Sequence, residues 1–391
     1  MESIIDDRSL AEVGQQRMGW FREQMPLITA IKKTFEKEKP FQNLNIAICL
    51  HVEPKTAYWI EALLAGGARH IFLVGCLGTT KPDTAAFLAA KGQVTVLAKE
   101  KDTMEDHQRY LEMVMTEKPQ LFLDNGASLI LAYHQRERDW LPLGANEETR
   151  TGRLLIDDSG YSLKFPVIVI DDSPLKKLLE NAVGVGQSVL DGLMRSTSLL
   201  LGGKRILVIG YGYCGSGTAG KLRAMGAHTS VYDIDPVYLL KAKADGHRVS
   251  EELPALIAEA DIIITLTGRF NILTAEHIPH FKDGVILANA GHFGFEIDVP
   301  GLTARAASIE TVGKGKQMLT FQDKRVFLLE EANPLNLSAG DGNPIEIMDL
   351  GLSLQALCGA RIATDRSQLI TGVQPVPRDI DCLVSRQMIN S

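Results

Sequence analysis

The chain is short of cysteine, of contiguous basic residues and of long apolar runs, and each shortage excludes a class of protein. Its five cysteines, Cys49, Cys76, Cys214, Cys358 and Cys382, are odd in number, scattered and never spaced as CxxC. That pattern supports neither a disulfide framework nor a structural zinc site, and no metal is expected. The formal net charge is −7 over 391 residues, with no lysine/arginine block. Such a chain has no electrostatic footprint for nucleic acid or an anionic membrane. The longest apolar runs, such as Ile206–Ile209 and Ile262–Leu266, are strand-sized, far below the ~20 residues a spanning helix needs. The opening MESIIDDRSL is acidic and polar, unlike a signal peptide, so a cytoplasmic protein is expected. There is no internal repeat and no low-complexity tract.

What is present is an ordinary globular composition, 45% apolar and 23% charged, with length enough for two or three domains that each bury a core. Short apolar runs alternate with helix-length amphipathic stretches. Strands are expected at Asn45–Leu50, His70–Val74, Val94–Ala98, Gln120–Leu123 and Pro166–Ile170. Helices are expected at Lys55–Leu64, Pro82–Ala90 and Met104–Glu117. This alternation implies a mostly parallel sheet with helices on both faces. A second unit begins near Gly184, with a helix over Ser188–Leu201 ended by Gly202-Gly203. Strands follow at Arg205–Ile209, Thr229–Tyr232, Asp261–Thr265 and Gly284–Ala288, then shorter runs at Gln317–Thr320 and Val326–Glu330. Ile345–Leu357 reads as a helix leading back to the first unit.

Residues 206–217 read ILVIGYGYCGSG: a β-branched strand, then Gly210, Gly212 and Gly215, then a helix-compatible stretch. This is G-x-G-x-x-G in its strand–turn–helix setting. The first glycine makes the tight turn, the second admits a pyrophosphate, and the third lets helix pack on strand. The phosphates would sit on the helix N-terminus, where unpaired N–H groups and the dipole favour anions. Asp233 ends the next strand, 21 positions after Gly212. A carboxylate there accepts from both ribose hydroxyls and repels a 2′-phosphate, so NAD is expected rather than NADP.

Several further strings, in order along nearly the whole chain, resemble the S-adenosylhomocysteine hydrolase family. They include ICLHVEPKTAYWIEALLAGGA from Ile48, LFLDNGA from Leu121, GANEETRTG from Gly144 and FPVIVIDDSPLKKLLEN from Phe165. VGVGQSVLDGLMRST follows from Val183, NAGHFGFEID from Asn289 and LNLSAGDGNP from Leu335. The resemblance implies an NAD-binding Rossmann domain, residues 184–344, inserted in a doubly wound α/β substrate domain, residues 1–183 and 345–391. The two are expected to close on a nucleoside, in a homo-oligomer active in one-carbon metabolism. It also implies the chemistry. Bound NAD oxidises the ribose 3′-OH, the ketone acidifies C4′–H, a base removes that proton, and homocysteine leaves C5′. Water then adds and the hydride returns.

By the same resemblance, His51 is a proton-transfer candidate at the ribose, and Glu148 holds a ribose hydroxyl. Lys176 helps deprotonate the 3′-OH, which requires a lowered pKa. Glu180 follows that lysine, and His292, in the GHF string, lies towards the leaving group. Cofactor contacts are implied for Thr149, Thr151, Asn181, Cys214, Ile234, Thr267, Ala290, Gly291, Asn336 and Asn343, beside the glycines and Asp233. Glu53, Lys55 and Thr56 are implied to meet the base.

The chain departs from the family's pattern at Asn125, where a candidate base is an aspartate, leaving His51 as the base. It departs too at Glu180 for aspartate, at Arg150 between Thr149 and Thr151, at Asn343 for histidine and at Gly294 for aspartate. Nothing after Pro375 resembles the tail that reaches a neighbouring subunit's NAD. Lys55 in HVEPKTA only donates, which suits a 6-oxo base, whereas Glu53 can accept from a 6-amino group. The reading is therefore hydrolysis of S-adenosylhomocysteine. Its alternatives are oxidation–elimination on a related nucleoside such as S-inosylhomocysteine, or a non-catalytic NAD- and nucleoside-binding paralogue that regulates a partner.

Overall fold

The computed structural model describes residues 1–291 and 294–390. The chain forms two compact units: residues 1–177 with 345–391, and residues 178–344. The second unit thus starts ahead of the boundary near Gly184 expected from sequence. A π-helix, Lys176–Gly184, carries the chain across that division.

In the first unit the strands are β1 (Asn45–Leu50), β2 (His70–Gly75), β3 (Val94–Leu97), β4 (Leu121–Asp124), β5 (Gly144–Glu147) and β6 (Pro166–Val169). With Gly372–Pro375 they form a seven-stranded sheet, in the order 372–375, β6, β5, β4, β1, β2, β3. Every pairing is parallel. Parallel strands need crossover helices, which cover both faces, so these strands read as continuous apolar runs. Phe122, Tyr133 and Phe165 lie at the centre of one core layer. The order reverses between β1 and β4, because the chain moves outward to β2 and β3 and then returns to the other side of β1. Ligands bind at such a switch point, beyond the carboxyl ends of the strands.

The second unit repeats the logic. Its strands are β7 (Arg205–Ile209), β8 (His228–Tyr232), β9 (Arg248–Val249), β10 (Ile262–Thr265), β11 (Val285–Asn289), β12 (Ser308–Gly313), β13 (Lys316–Thr320) and β14 (Arg325–Leu329). They form a sheet ordered β12-β13-β14-β11-β10-β7-β8-β9. Ile206, Val208, Ile262 and Ile264 pack on one face, and Leu207, Ile209 and Ile263 on the other. The period of two therefore buries both faces. The switch point lies between β7 and β10. The sheet is parallel from β9 to β14, and an antiparallel β13–β12 ribbon extends its far edge. The chain is thus α/β with two doubly wound sheets, one of them a Rossmann fold.

Two sequence expectations need correction, and several elements were missed. The helix expected over Ser188–Leu201 is Val185–Thr197, ended by Ser198 in the left-handed region and not by Gly202-Gly203. The helix from Ile345 runs on to Thr364. The β5 strand and the helices Ala11–Gln24 and Pro26–Glu38 carried no expectation at all. Among the described residues, no helix is long and apolar enough to cross a membrane, and no group of three or more His, Cys, Asp or Glu could hold a metal ion.

Candidate active site and cofactor site

The first unit places its polar candidates just beyond the strand ends. His51 follows β1, Asn125 follows β4 and Glu148 follows β5. Lys176 opens the π-helix after β6. Lys176 Nζ lies 3.1 Å from Glu148 Oε1, and Asn125 Nδ2 donates to Glu148 Oε2 at 2.8 Å. All three side chains are buried. Burial raises the Glu148 carboxyl, but Lys176 and the Asn125 hydrogen bond outweigh it and hold it below its ordinary value. Asn125 Oδ1 is buried with no hydrogen-bond partner among the described residues. A buried carbonyl oxygen left that way is costly unless a ligand donor meets it.

Burial pulls the His51 imidazole down to about 4. Glu148 opposes the shift, and Lys55 and Lys176 assist it. The ring is therefore neutral at physiological pH, as a proton acceptor must be. Glu53 caps the helix Pro54–Ala65. Its Oε2 accepts both Lys55 N–H at 3.1 Å and Lys55 Nζ at 3.0 Å. Lys55 also lies over the Phe21 ring at 6.0 Å, and Thr56 is buried beside it.

Two buried carboxylates that sequence reasoning passed over shape these loops. Glu147 accepts from the N–H groups of Gly126, Ala127 and Thr149 and from Thr149 Oγ1. Asp124, its β4 neighbour, accepts from Asn125 N–H and Ile130 N–H. Burial pushes both carboxyls up, and Asp124 pushes Glu147 further. Their signal lay in the acids that precede Asn125 and Glu148. Thr149 serves locally as a helix cap, accepting from Gly152 N–H, and Thr151 is buried in the same turn. Lys176 is set from behind. Ser173 Oγ accepts from Leu175 N–H at 3.1 Å and donates to Asp381 Oδ1. Asp381 belongs to the helix Arg378–Asn390, so the segment after Pro375 is packed into this unit.

In the second unit, Gly210 has φ +97°, and a Cβ there would meet Leu266 O at 2.7 Å. A Cβ on Gly215 would sit 1.9 Å from Gly210 O, so the helix Tyr213–Ala224 approaches its strand only through glycine. Gly212 caps that helix, and a Cβ on it would meet open space. The residues therefore fit a dinucleotide, with room for a pyrophosphate over the helix N-terminus. Asp233 Oδ2 accepts from Tyr211 N–H at 2.6 Å, and Oδ1 from Asp235 N–H at 3.0 Å. That fixes the carboxylate at the end of β8 with lone pairs left for a ribose. Cys214 is half-buried in the first helical turn, and Ile234 is 90% exposed beside Asp233.

Glu296 also escaped sequence reasoning, although it lies in the quoted FEID. Its buried carboxylate accepts from Thr267 N–H, Thr267 Oγ1 and Gly268 N–H. Asn289 Oδ1 accepts from Gly291 N–H at 2.8 Å, which sets Ala290 and Gly291 beyond β11. Asn336 Nδ2 donates to Ser188 Oγ, which donates to Asn343 Oδ1. Glu180 and Asn181 lie on the π-helix within this unit. His292 lies outside the described residues.

The NAD binding domain of S-adenosyl-L-homocysteine hydrolase matches residues 181–342. An S-inosyl-L-homocysteine hydrolase of Methanosarcina acetivorans is 40% identical over 99% of this chain and 94% of its own. The chain belongs to the S-adenosyl-L-homocysteine hydrolase family. It is also 40% identical to the S-inosyl-L-homocysteine hydrolase of Methanopyrus kandleri, over 100% of this chain and 93% of that one. The adenosylhomocysteinase of Thermococcus kodakarensis is 38% identical over 98% and 91%. As a member of this family the chain is an NAD-using enzyme.

Proposed function

We propose that this enzyme cleaves the thioether of S-adenosylhomocysteine to adenosine and homocysteine, in the cytoplasm and as a homo-oligomer. The observation that carries the reading is the buried Lys176–Glu148–Asn125 chain at the strand ends that also present the neutral His51. NAD, when bound, would supply a reversible hydride acceptor for C3′ of the ribose. Lys176 acts on the 3′-hydroxyl as the free amine, formed when the ammonium of the resting pair gives its proton to solvent. It then receives the 3′-hydroxyl proton, while Glu148 holds the ribose and neutralises the ammonium so formed. Asn125 Oδ1 accepts a ribose hydroxyl, which completes its hydrogen bonding. An amide cannot take the C4′ proton, so His51 takes it. The test is to add S-adenosylhomocysteine to the purified holoprotein and follow thiol release and NADH absorbance. Thiol and a transient NADH signal are expected. The reading fails if no nucleoside reduces the bound dinucleotide.

A second reading, S-inosylhomocysteine as substrate, is favoured by Lys55. A 6-oxo purine offers O6 to the ammonium and N1–H to the Glu53 carboxylate, which already form one buried pair. The S-inosyl names of two relatives support it. Both thioethers are compared in the same assay, and the larger kcat/KM decides between the bases.

A further inference from the structure

Thr79 stands in the loop after β2, a position that neither the motifs nor the mechanism above uses. Its Oγ1 lies 2.8 Å from Cys76 O and 2.9 Å from His51 Nδ1. A hydroxyl has one hydrogen, and a carbonyl can only accept. The hydrogen therefore goes to Cys76, and Thr79 presents a lone pair to the imidazole. Nδ1 must carry the ring's hydrogen, which leaves the lone pair of the neutral ring on Nε2. We propose that Thr79 is a positioning residue that sets the tautomer of His51, making Nε2 the nitrogen that takes the substrate proton. The proposal rests on the role given to His51 above.

The backbone keeps the two residues in register. Cys76 N–H donates to Leu50 O, and Lys81 N–H donates to Val52 O at 2.8 Å. The loop that carries Thr79 is thus pinned to the chain on both sides of His51. Thr79 is 3% exposed, so water does not readily replace its oxygen. The charged groups that act on the ring are Glu148, Lys55 and Lys176, and burial outweighs them in keeping it neutral. In a neutral ring only one nitrogen can be the base, and the partner of the other decides which.

The test has an arm that needs no turnover. In holoprotein carrying ¹⁵N-histidine, with His51 assigned through His51→Gln, the Nδ1–H tautomer is expected. It should be lost in Thr79→Val and regained in Thr79→Ser. In the second arm, deuterium incorporation from solvent at C4′ of adenosine or inosine should fall about 10- to 100-fold in Thr79→Val. Reduction of the bound NAD by the same nucleoside should change little, and Thr79→Ser should restore exchange. An Nε2–H tautomer in the wild type overturns the proposal, as does a Thr79→Val variant with wild-type exchange. Equal loss of exchange and reduction assigns Thr79 a structural role instead. The expected tautomer in a protein that exchanges no C4′ proton overturns the base role of His51 while leaving the hydrogen-bond assignment intact.

Discussion

Replacing Lys176 by methionine should expose what the buried ion pair is worth. Both side chains of the Lys176–Glu148 pair are 4% exposed, and their charges approach to 3.1 Å. At an effective dielectric near 20 that separation corresponds to about 5 kcal/mol of attraction, and breaking a buried pair from one side costs ~3–5 kcal/mol. Asn125 still donates to Glu148 in the variant, so a loss near ~3 kcal/mol is expected at pH 7. The sign with pH follows from Glu148. Its folded carboxyl lies below the ordinary value. In the wild type its contribution is therefore present above ~4.3 and lost as pH falls through the folded value. Without Lys176, burial dominates and the carboxyl rises, so the penalty is largest at neutral pH and shrinks as Glu148 protonates. Urea unfolding of the wild type, Lys176→Met, Glu148→Gln and the double variant, at pH 7 and pH 5, gives the full cycle. The double variant should recover most of the loss, because a neutral pair leaves no buried charge. A Lys176→Met loss under about 1 kcal/mol, a loss that grows towards pH 5, or no recovery in the double variant would refute the reasoning.

Denaturing the purified enzyme should release NAD, since a carboxylate placed as Asp233 is, at the end of β8, would repel a 2′-phosphate; NADP in the extract would contradict this. His51→Ala should abolish turnover yet keep the dinucleotide, measured by the same extraction, and loss of both would mean that His51 supports the fold instead. The acid limb of the C4′-exchange rate should fall well below pH 6.5, because burial takes His51 down to about 4 and the base is lost only when the ring protonates. A limb at the ordinary histidine value would show a solvated ring. Lys55→Gln should lower the inosine-to-adenosine ratio of kcat/KM at least about tenfold, equivalent to ~1.4 kcal/mol, and an unchanged ratio would remove Lys55 from base selection.

Much of the sheet architecture was legible because strands buried on both faces appear as unbroken apolar runs, as in Asn45–Leu50 and Ile262–Thr265. The failures have the same cause. β5 reads GANE, and its Asn146 and Glu147 are buried polar residues. They are tolerated because Asn146 donates to Gln355 O and Glu147 takes four donors. No hydrophobic pattern reports such a strand. The helix Ala11–Gln24 contains Gly14 and Gly19 and has no clear apolar face. Gly14 is present because a Cβ would strike Asp83 O at 2.2 Å, a long-range fact. Spacing alone revealed the glycine turn and Asp233. His51, Glu148 and Lys176 came only through resemblance, since a histidine at a strand end and adjacent lysines are ordinary features. Thr79 was beyond reach, because its meaning lies in a contact with a residue 28 positions away.

The two units solve one physical problem in the same way. Where a parallel strand ends at a ligand site, the following loop turns sharply and leaves N–H groups without ladder partners. Asp124, Glu147 and Glu296 are buried carboxylates placed where those donors converge. Each accepts two or more groups from loops that carry candidate site residues. Burial raises all three carboxyls, which opposes the ionised form, while each converging N–H favours it. The loops are thus held by acceptors that are themselves stable only while the loops stay in place. Replacing one of these carboxylates would loosen several loop donors at once, while replacing a side chain such as Asn125, which Asp124 holds through its backbone N–H, would leave the loop standing.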